Sequence, residues 1–337
     1  MRFSALRSLA NPQLAALLLI LFFNWLLFPG FFKVTWQNDR LFGSLIDVLN
    51  RGAPVAILAI GMTAVIATKG VDLSVGAIMA VAGAVAAALA TRDYPLAVIL
   101  LASMAVGIAC GLWNGFLVAI LEIQPFVATL VLMVAGRGVA QLITEGLIVT
   151  FNVPSLNFVG TGAFLGFPMA AVITFFLLIA THFFLRRTAL GLFIEATGTN
   201  RSAANYAGLR SRLLLIFIYG FSGFCAAVAG IIVTADIKGA DANNAGLWLE
   251  LDAILAVVIG GTSLLGGRFS VIMSVLGALI IQAMNTGILV SGFPPQFNLV
   301  VKAGVIITIL ILQADKIKTW LMPLRRASKV PGKARQA

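Results

Sequence analysis

The sequence is poor in charge, in histidine and in cysteine, and each shortage excludes a class of protein. Only 10% of its 337 residues are charged and 61% are hydrophobic, whereas soluble globular proteins carry about 25% charged residues. So few charges cannot cover a water-facing surface, and most of the outer surface must therefore face lipid. One histidine and two cysteines are too few for a zinc site or a histidine-dependent hydrolase.

The rare residues themselves lie in apolar surroundings. Cys110 and Cys225 fall inside apolar runs, where cysteine behaves as a small hydrophobic residue without a disulfide or metal role. His182 lies near the end of another run, and interfacial packing is the ordinary role of such a histidine. We therefore expect no cofactor and no metal. An integral-membrane enzyme would also need a cluster of nucleophile, acid and base that the sequence lacks.

The formal net charge of +11 does not indicate nucleic-acid binding. The basic residues lie at the ends of apolar segments and do not form one polar stripe. In membrane proteins this arrangement signals orientation, because cytoplasmic loops carry an excess of lysine and arginine.

The apolar runs predict an all-α fold, a polytopic transmembrane helix bundle with about ten spans. A helix needs about 20 apolar residues to cross the hydrocarbon. The first run, from Leu14 to Phe28, is followed by no small-x-small cleavage site, so we expect a retained helix instead of a signal peptide. The predicted spans are 14–30, 45–67, 72–91, 95–120, 125–146, 168–186, 212–235, 250–265, 269–291 and 297–314.

The distribution of lysine and arginine predicts that both termini are cytoplasmic. It divides the chain into a cytoplasmic N-terminus at 1–13, a membrane domain at 14–314 and a basic cytoplasmic tail at 315–337. The loop at 187–211 is also basic and is too polar to span the membrane. Its composition fits an ordinary connection and a docking surface for a cytoplasmic partner equally well.

Two polar strings interrupt apolar runs, TKGVDLSVG at 68–76 and VVIGGTSLLGGRF at 257–269. Broken helices are tolerated at membrane depth where they are buried or line a cavity, and in transporters they often lie on the substrate path. Small residues also allow helices to approach closely, and both interpretations stay open. The second string has glycines at P-loop spacing but lacks the lysine and hydroxyl pair, so another subunit must handle any ATP.

Polar residues inside the spans predict a translocation path. Ionisable groups there are costly and usually face the bundle interior. Each has the alternative role of an ion pair between helices, but as a set they indicate the polar interior of a transporter. The residues that we assign to the path are Asp72, Asn114, Arg137, Glu250, Asp252 and Asn285.

A short internal similarity relates two of these positions. Residues 110–126 can be laid over residues 281–297 without gaps, and Asn114 then meets Asn285. The two stretches end spans that cross the membrane in opposite directions. Two inverted five-helix halves would explain the similarity, and so would chance.

Three long strings in the same order resemble the permease subunits of sugar-type ABC importers, the group that handles ribose, xylose, arabinose and galactose. The resemblance covers about residues 45–314. It is carried by ATKGVDLSVGAIMA at 67–80, QPFVATLVLMVAGRG at 124–138 and ELDAILAVVIGGTSLLGGR at 250–268. Within that group the chain is most similar to galactofuranose permeases, through residues 42–63, 235–261 and 284–295.

The resemblance implies a bacterial inner-membrane protein that translocates a monosaccharide and hydrolyses no ATP itself. It implies three partners: a cytoplasmic ABC ATPase, a periplasmic sugar-binding protein and a second permease subunit, identical or related. An ion-coupled secondary transporter is the alternative. The sequence departs from the family at Lys69, where a glycine is common. The family's coupling-loop pattern falls on Glu195, Ala196, Gly198, Asn200, Ala203, Ala204 and Gly208.

Overall fold

Helices make up most of the described part of the chain, and three short two-stranded ribbons lie in its connections. The computed structural model describes residues 12–28, 30–37, 39–292, 299–304 and 307. The helices are α1 (Pro12–Leu27), α2 (Ser44–Ala67), α3 (Val75–Ala90), α4 (Leu96–Ala119), α5 (Pro125–Ile143), α6 (Pro154–Thr161), α7 (Met169–Arg187), α8 (Leu190–Thr199), α9 (Arg201–Tyr206), α10 (Ser211–Ile237), α11 (Leu249–Ile259) and α12 (Val271–Val290).

A helix lies at each of the first nine predicted spans. Six of the helices in the described part of the chain are long and apolar enough to cross a membrane, namely α2, α4, α5, α7, α10 and α12. Helices α1 and α3 are shorter apolar helices, and α11, at the glycine-rich eighth span, has only 11 residues. Most of the tenth span, 297–314, and all of the tail, 315–337, lie outside the described residues, so the count of ten and the inverted halves stay predictions.

The chain forms two units, 1–287 and 288–337. The first contains every helix from α1 to α11 and most of α12. The described part of the second comprises the end of α12, the turn that follows it and a short helical stretch at 299–304.

Helices α2 and α10 form the centre of the first unit. Helix α10 packs most extensively on α4 and then on α2 and α3. Small residues allow the closest of these contacts: a Cβ atom on Gly111 of α4 would fall on the backbone of Tyr219 and Gly220 in α10. In contrast, only 17% of the most apolar stretch of α7 is buried inside the protein, against 83% of the corresponding stretch of α2. The outer helices therefore present wide apolar faces at the surface of the unit.

Helix α1 is an integral part of the bundle. The side-chain amide of Asn24 donates a buried hydrogen bond of 3.0 Å to the carbonyl oxygen of Ala283 in α12. Phe31, Val48 and Ala283 form a buried cluster against which apolar residues of α1 pack. This packing agrees with a retained first helix.

The connections lie at two ends of the unit, which we call the basic end and the ribbon end. The basic end consists of the connections 68–74, 120–124, 188–210 and 260–270, with Arg186, Arg187 and Arg212 at the adjoining helix ends, and basic residues outnumber acidic ones there. The ribbon end consists of the connections 28–43, 91–95, 144–168 and 238–248. All three ribbons lie there: β1 (Thr35–Gln37) pairs with β2 (Arg40–Phe42), β3 (Val149–Thr150) with β6 (Gly239–Ala240), and β4 (Ala163–Phe164) with β5 (Phe167–Pro168).

Candidate functional site

A sealed polar network holds the first helix break, residues 68–74, between α2 and α3. The Asp72 carboxylate accepts hydrogen bonds from the backbone amide (3.1 Å) and hydroxyl (2.6 Å) of Ser74, and from the Ser222 hydroxyl of α10 (2.8 Å). Asn114 of α4 donates to the Ser74 hydroxyl at 2.8 Å. Asp72, Ser74 and Asn114 are each 0% exposed. The network therefore joins the break to two neighbouring helices and satisfies the buried carboxylate with protein donors.

Arg137 and Glu250 lie at the loop between α10 and α11, residues 238–248. The guanidinium group of Arg137 donates to the carbonyl oxygens of Ala242 (3.0 Å) and Ala245 (2.6 Å). Glu250 is within electrostatic range of Arg137. Gly76, at the start of α3, packs so closely on this region that a Cβ atom there would fall on the Glu250 carboxylate. Arg137 thus fixes the loop to α5.

The same loop is also held from within. Asp241 accepts hydrogen bonds from the backbone amides of Asn243 (3.0 Å) and Asn244 (3.1 Å) and from the side chain of Asn244 (2.7 Å). The side-chain hydrogen bond from Asn244 contributes most to holding the pKa of Asp241 below its ordinary value, and the Arg137 charge adds to it. Asp241 therefore stays ionised well below neutral pH.

Asp252 and Asn285 line a cavity of about 230 Å³ at the ribbon end, among α2, α10, α11 and α12. Asp252 is 8% exposed, and the buried side-chain oxygen of Asn285 accepts no hydrogen bond from the described residues. A second cavity of about 160 Å³ shares the lining residues Asn50, Gly160 and Asp236 with the first. We call the first one the ribbon-end cavity; its other polar lining residues are Asn50, Arg51, Asp236 and Gln282.

The loop at 187–211, which we call the coupling segment, folds into the two short helices α8 and α9 at the basic end. Asn200 separates them, and its side-chain oxygen caps α9 by accepting a hydrogen bond of 3.0 Å from the Ala203 amide. The Arg201 guanidinium group donates to the carbonyl oxygen of Ala119 at the end of α4 (3.4 Å). The segment is therefore helical on both sides of Asn200.

Both helix breaks meet the end of α8. The Lys69 ammonium donates to the Thr199 carbonyl oxygen at 3.1 Å, and the Gly267 amide donates to the Ala67 carbonyl oxygen at 2.9 Å. Gly198 lies against the Ala67 oxygen and the Gly267 amide, so a Cβ atom on Gly198 would overlap the Ala67 oxygen. The coupling segment is thus in direct contact with the two broken helices.

The seven residues predicted to couple the chain to an ATPase divide by exposure. Asn200, Ala203 and Gly208 are exposed, and Glu195 and Ala196 are half-buried. Gly198 and Ala204 are buried and point their backbone or methyl group into the protein. A partner at this surface would also meet two residues that the sequence reasoning missed, Tyr206 (94% exposed) and Leu192 (67% exposed).

The six predicted path residues fall into three places. Asp72 and Asn114 belong to the sealed network, Arg137 and Glu250 to the α10–α11 loop, and Asp252 and Asn285 to the ribbon-end cavity. Sequence reasoning did not assign the residues that complete two of these places. Those residues are Ser222 in the network, and Arg51 and Asp236 in the cavity.

Comparison with known proteins identifies the family. The family described as branched-chain amino acid transport system / permease component matches residues 44–310. The chain belongs to this family. Its members are permease subunits of membrane transport systems, and the prediction of an ABC importer permease is confirmed over the ion-coupled alternative. The prediction that the chain is a transport subunit and not an enzyme is also confirmed.

The relatives also support the predicted sugar-type group. The chain is 60% identical to the galactofuranose transporter permease of Escherichia coli (strain K12) over 318 residues, which cover 94% of this chain and 93% of the relative. It is 41% identical to the fructose import permease of Bifidobacterium longum (strain NCC 2705), over 90% of this chain and 88% of the relative. The ribose import permease of E. coli (strain K12) is 36% identical, over 91% of this chain and 94% of the relative. No solved structure matches.

Membership of this permease family places the chain in the inner membrane as a multi-pass protein. It also implies two partners of the permease, an ATPase and a substrate-binding protein. The sequence resemblance to sugar-type permeases is thereby confirmed at the level of the family.

Proposed function

We propose that this permease carries a monosaccharide across the inner membrane, driven by a partner ATPase, and that the sugar is galactofuranose. The high identity to a galactofuranose transporter permease supports the choice of sugar. The observation that supports the path most strongly is the ribbon-end cavity, which is polar and lies at the opposite end of the unit from the coupling segment. A conduit needs a receiving site at one end and an energy input at the other.

The lining of the cavity suits a neutral polyhydroxylated ligand. Asp236 and Asp252 supply carboxylate acceptors, and Asn50, Gln282 and Asn285 supply amides that both donate and accept. The unpartnered side-chain oxygen of Asn285 is an acceptor that a sugar hydroxyl would satisfy, since buried polar atoms are costly when unpaired. We assign the receiving site to Asp252 and Asn285, and we assign Asp72 and Asn114 to the support of the helix break.

The coupling segment is the docking surface for the ATPase. Its exposed residues, above all Tyr206, offer an aromatic anchor of the kind that dominates protein interfaces. Gly198 and Ala204 act from beneath by allowing α8 to lie against the broken helices. Closure of the ATPase dimer moves α8, and the contacts of Lys69 and Gly198 transmit that movement to the breaks.

The orientation in the membrane follows from assigning the coupling segment to the ATPase, because the ATPase is cytoplasmic. We assign the basic end to the cytoplasm and the ribbon end to the periplasm, and the rule that cytoplasmic loops are rich in lysine and arginine supports this assignment. Both termini are then cytoplasmic, and ten spans form two inverted halves. Helix α11 follows α10 as α3 follows α2, a short helix after a long one in each half. Two such chains, or this chain and a related one, form the complete membrane unit.

The test is uptake by proteoliposomes that contain the permease, its ATPase and the sugar-loaded binding protein. Gly198→Ala forces α8 away from Ala67, so we expect uptake and sugar-stimulated ATP hydrolysis to fall at least tenfold, about 1.4 kcal/mol. Gly138→Ala is the matched control, because a Cβ atom at that helical glycine meets nothing within 4 Å. Uptake that survives disruptive changes throughout residues 195–208 would contradict the docking surface.

The sugar is tested separately. Calorimetry on the partner binding protein, with galactofuranose, galactopyranose, fructose and ribose, should show the tightest binding for the furanose form of galactose. Tighter binding of ribose or fructose would overturn the choice of sugar and leave the transport mechanism intact.

A further inference from the structure

A large apolar groove opens on the surface of the bundle next to the basic end. Its volume is about 640 Å³, and it lies between α7 and α10, with Ala64 of α2 at its floor. Leu190 and Ile194 of the coupling segment also line it. The remaining lining residues are Leu177, Ala180, Thr181, Phe184, Leu185, Leu214, Phe217, Ile218 and Phe221.

The groove faces the hydrocarbon of the bilayer. Helices α7 and α10 are both long and apolar enough to span a membrane. Large apolar side chains around the groove are exposed, including Phe217 (71%) and Phe184 (56%). An apolar cleft in such a surface is filled by hydrocarbon, because water in it would find no hydrogen-bonding partners.

Three arginines lie within four residues of groove-lining positions at the basic end. Arg186 and Arg187 end α7 directly after the lining residue Leu185, and Arg210 precedes α10 near the lining residue Leu214. All three are exposed; the Arg187 guanidinium group lies over the Phe183 ring at 5.7 Å, and Arg186 donates a hydrogen bond of 3.4 Å to the Phe269 carbonyl oxygen. Among the described residues the one salt bridge joins Arg212 to Glu122, so these three guanidinium groups have no carboxylate partner there. Guanidinium groups in this position match the geometry of a phosphate.

We propose that the groove binds one anionic phospholipid, with an acyl chain between α7 and α10 and its phosphate on Arg187 and Arg210. The apolar lining selects the chain, and the flanking arginines select an anionic headgroup over a zwitterionic one. The lipid touches α8 through Leu190 and Ile194, so it braces the coupling segment from the membrane side. The proposal does not depend on which sugar is carried.

The test is native mass spectrometry of the full-length permease, purified and exchanged into detergent with equal amounts of phosphatidylglycerol and phosphatidylcholine. The wild-type chain should retain one phosphatidylglycerol. Arg187→Gln/Arg210→Gln should weaken its retention by more than tenfold, since each surface arginine contributes roughly fivefold. Ala180→Trp should expel the lipid by filling the groove from an exposed position. Arg92→Gln, an exposed arginine at the ribbon end, is the matched control and should retain it.

Two further measurements test the fold of each variant and the identity of the molecule in the groove. Each variant should elute and melt as the wild type does, which separates lost lipid from lost fold. A photo-reactive group attached to Ala180→Cys should cross-link to phosphatidylglycerol. Equal retention of phosphatidylcholine would overturn the proposal, as would a cross-link to a second copy of the chain or to its C-terminal residues.

Discussion

Two polar regions lie inside this helix bundle. Both contain a buried carboxylate, but the carboxylate has a different role in each. The network around Asp72 is sealed: its carboxylate accepts three hydrogen bonds from Ser74 and Ser222, and it is 0% exposed. The ribbon-end cavity is open, and Asp252 and Asn285 line it. Intramembrane carboxylates therefore belong to the scaffold in one region and to the proposed path in the other.

The difference arises from what surrounds each side chain. At residues 68–74 the helix stops and restarts, which frees backbone amides and carbonyls, and Asp72 binds the freed Ser74 amide. At the cavity, Asp252 lies in the first turn of α11 and Asn285 lies within α12, and both side chains line an open space. The polar residue at the break therefore holds the backbone, and the two cavity residues face a space that a ligand can enter.

The largest expected effect is on stability, from Asp72→Ala. The change leaves the Ser74 and Ser222 hydroxyls buried without their acceptor, and we expect a loss of about 3 kcal/mol. Thermal melting of the purified permease would measure it. Asp72→Asn keeps one acceptor oxygen, so its melting temperature should lie between those of the wild type and Asp72→Ala. An unchanged melting temperature with lost uptake would move Asp72 from the scaffold to the path.

The next effect is on transport alone, from Asp252→Asn. The amide keeps the shape of the side chain and removes a charged acceptor, so we expect uptake in proteoliposomes to fall about tenfold with an unchanged melting temperature. Asp93→Asn, an exposed carboxylate in another ribbon-end connection, is the control and should transport normally. An equal loss of uptake in Asp252→Asn and Asp93→Asn would contradict the assignment of the sugar site to the cavity.

The smallest effect is expected from Arg137→Met, which keeps the apolar stem and removes the hydrogen bonds to Ala242 and Ala245. The α10–α11 loop should lose about 1 kcal/mol of local stability. Hydrogen–deuterium exchange would show this as about fivefold faster exchange at residues 238–248. Equal acceleration at residues 68–74 would show that the two polar regions are one coupled network and would break the comparison.

The sequence predicted much of the fold, because apolar length directly reports a membrane span. Helices lie at the first nine predicted spans, and the short α11 coincides with the shortest of them, 250–265. Polar composition also marked the coupling segment and both breaks. The sequence could not separate sealed from open sites, because Asp72 and Asp252 are both aspartates in apolar runs. Their difference depends on Ser222 and Asn285, which come from distant helices.

Side-chain partners across long sequence separations were equally hidden. Lys69 stands where the family often has glycine, and nothing local indicates that it reaches Thr199. The apolar groove could not be predicted either, since its lining comes from four helices and resembles any other lipid-facing surface in composition. In each case the information lies in the packing of helices, which periodicity along one segment does not report.

The most direct test of the account is labelling of single cysteines by a membrane-impermeant thiol reagent added from the periplasmic side, in a Cys110→Ala background. The remaining native cysteine, Cys225, is 0% exposed and should stay silent. The account predicts that Asn285→Cys is labelled and that Asn114→Cys, placed in the sealed network, is not. Labelling of Asn114→Cys together with a silent Asn285→Cys would contradict the assignment of scaffold and path.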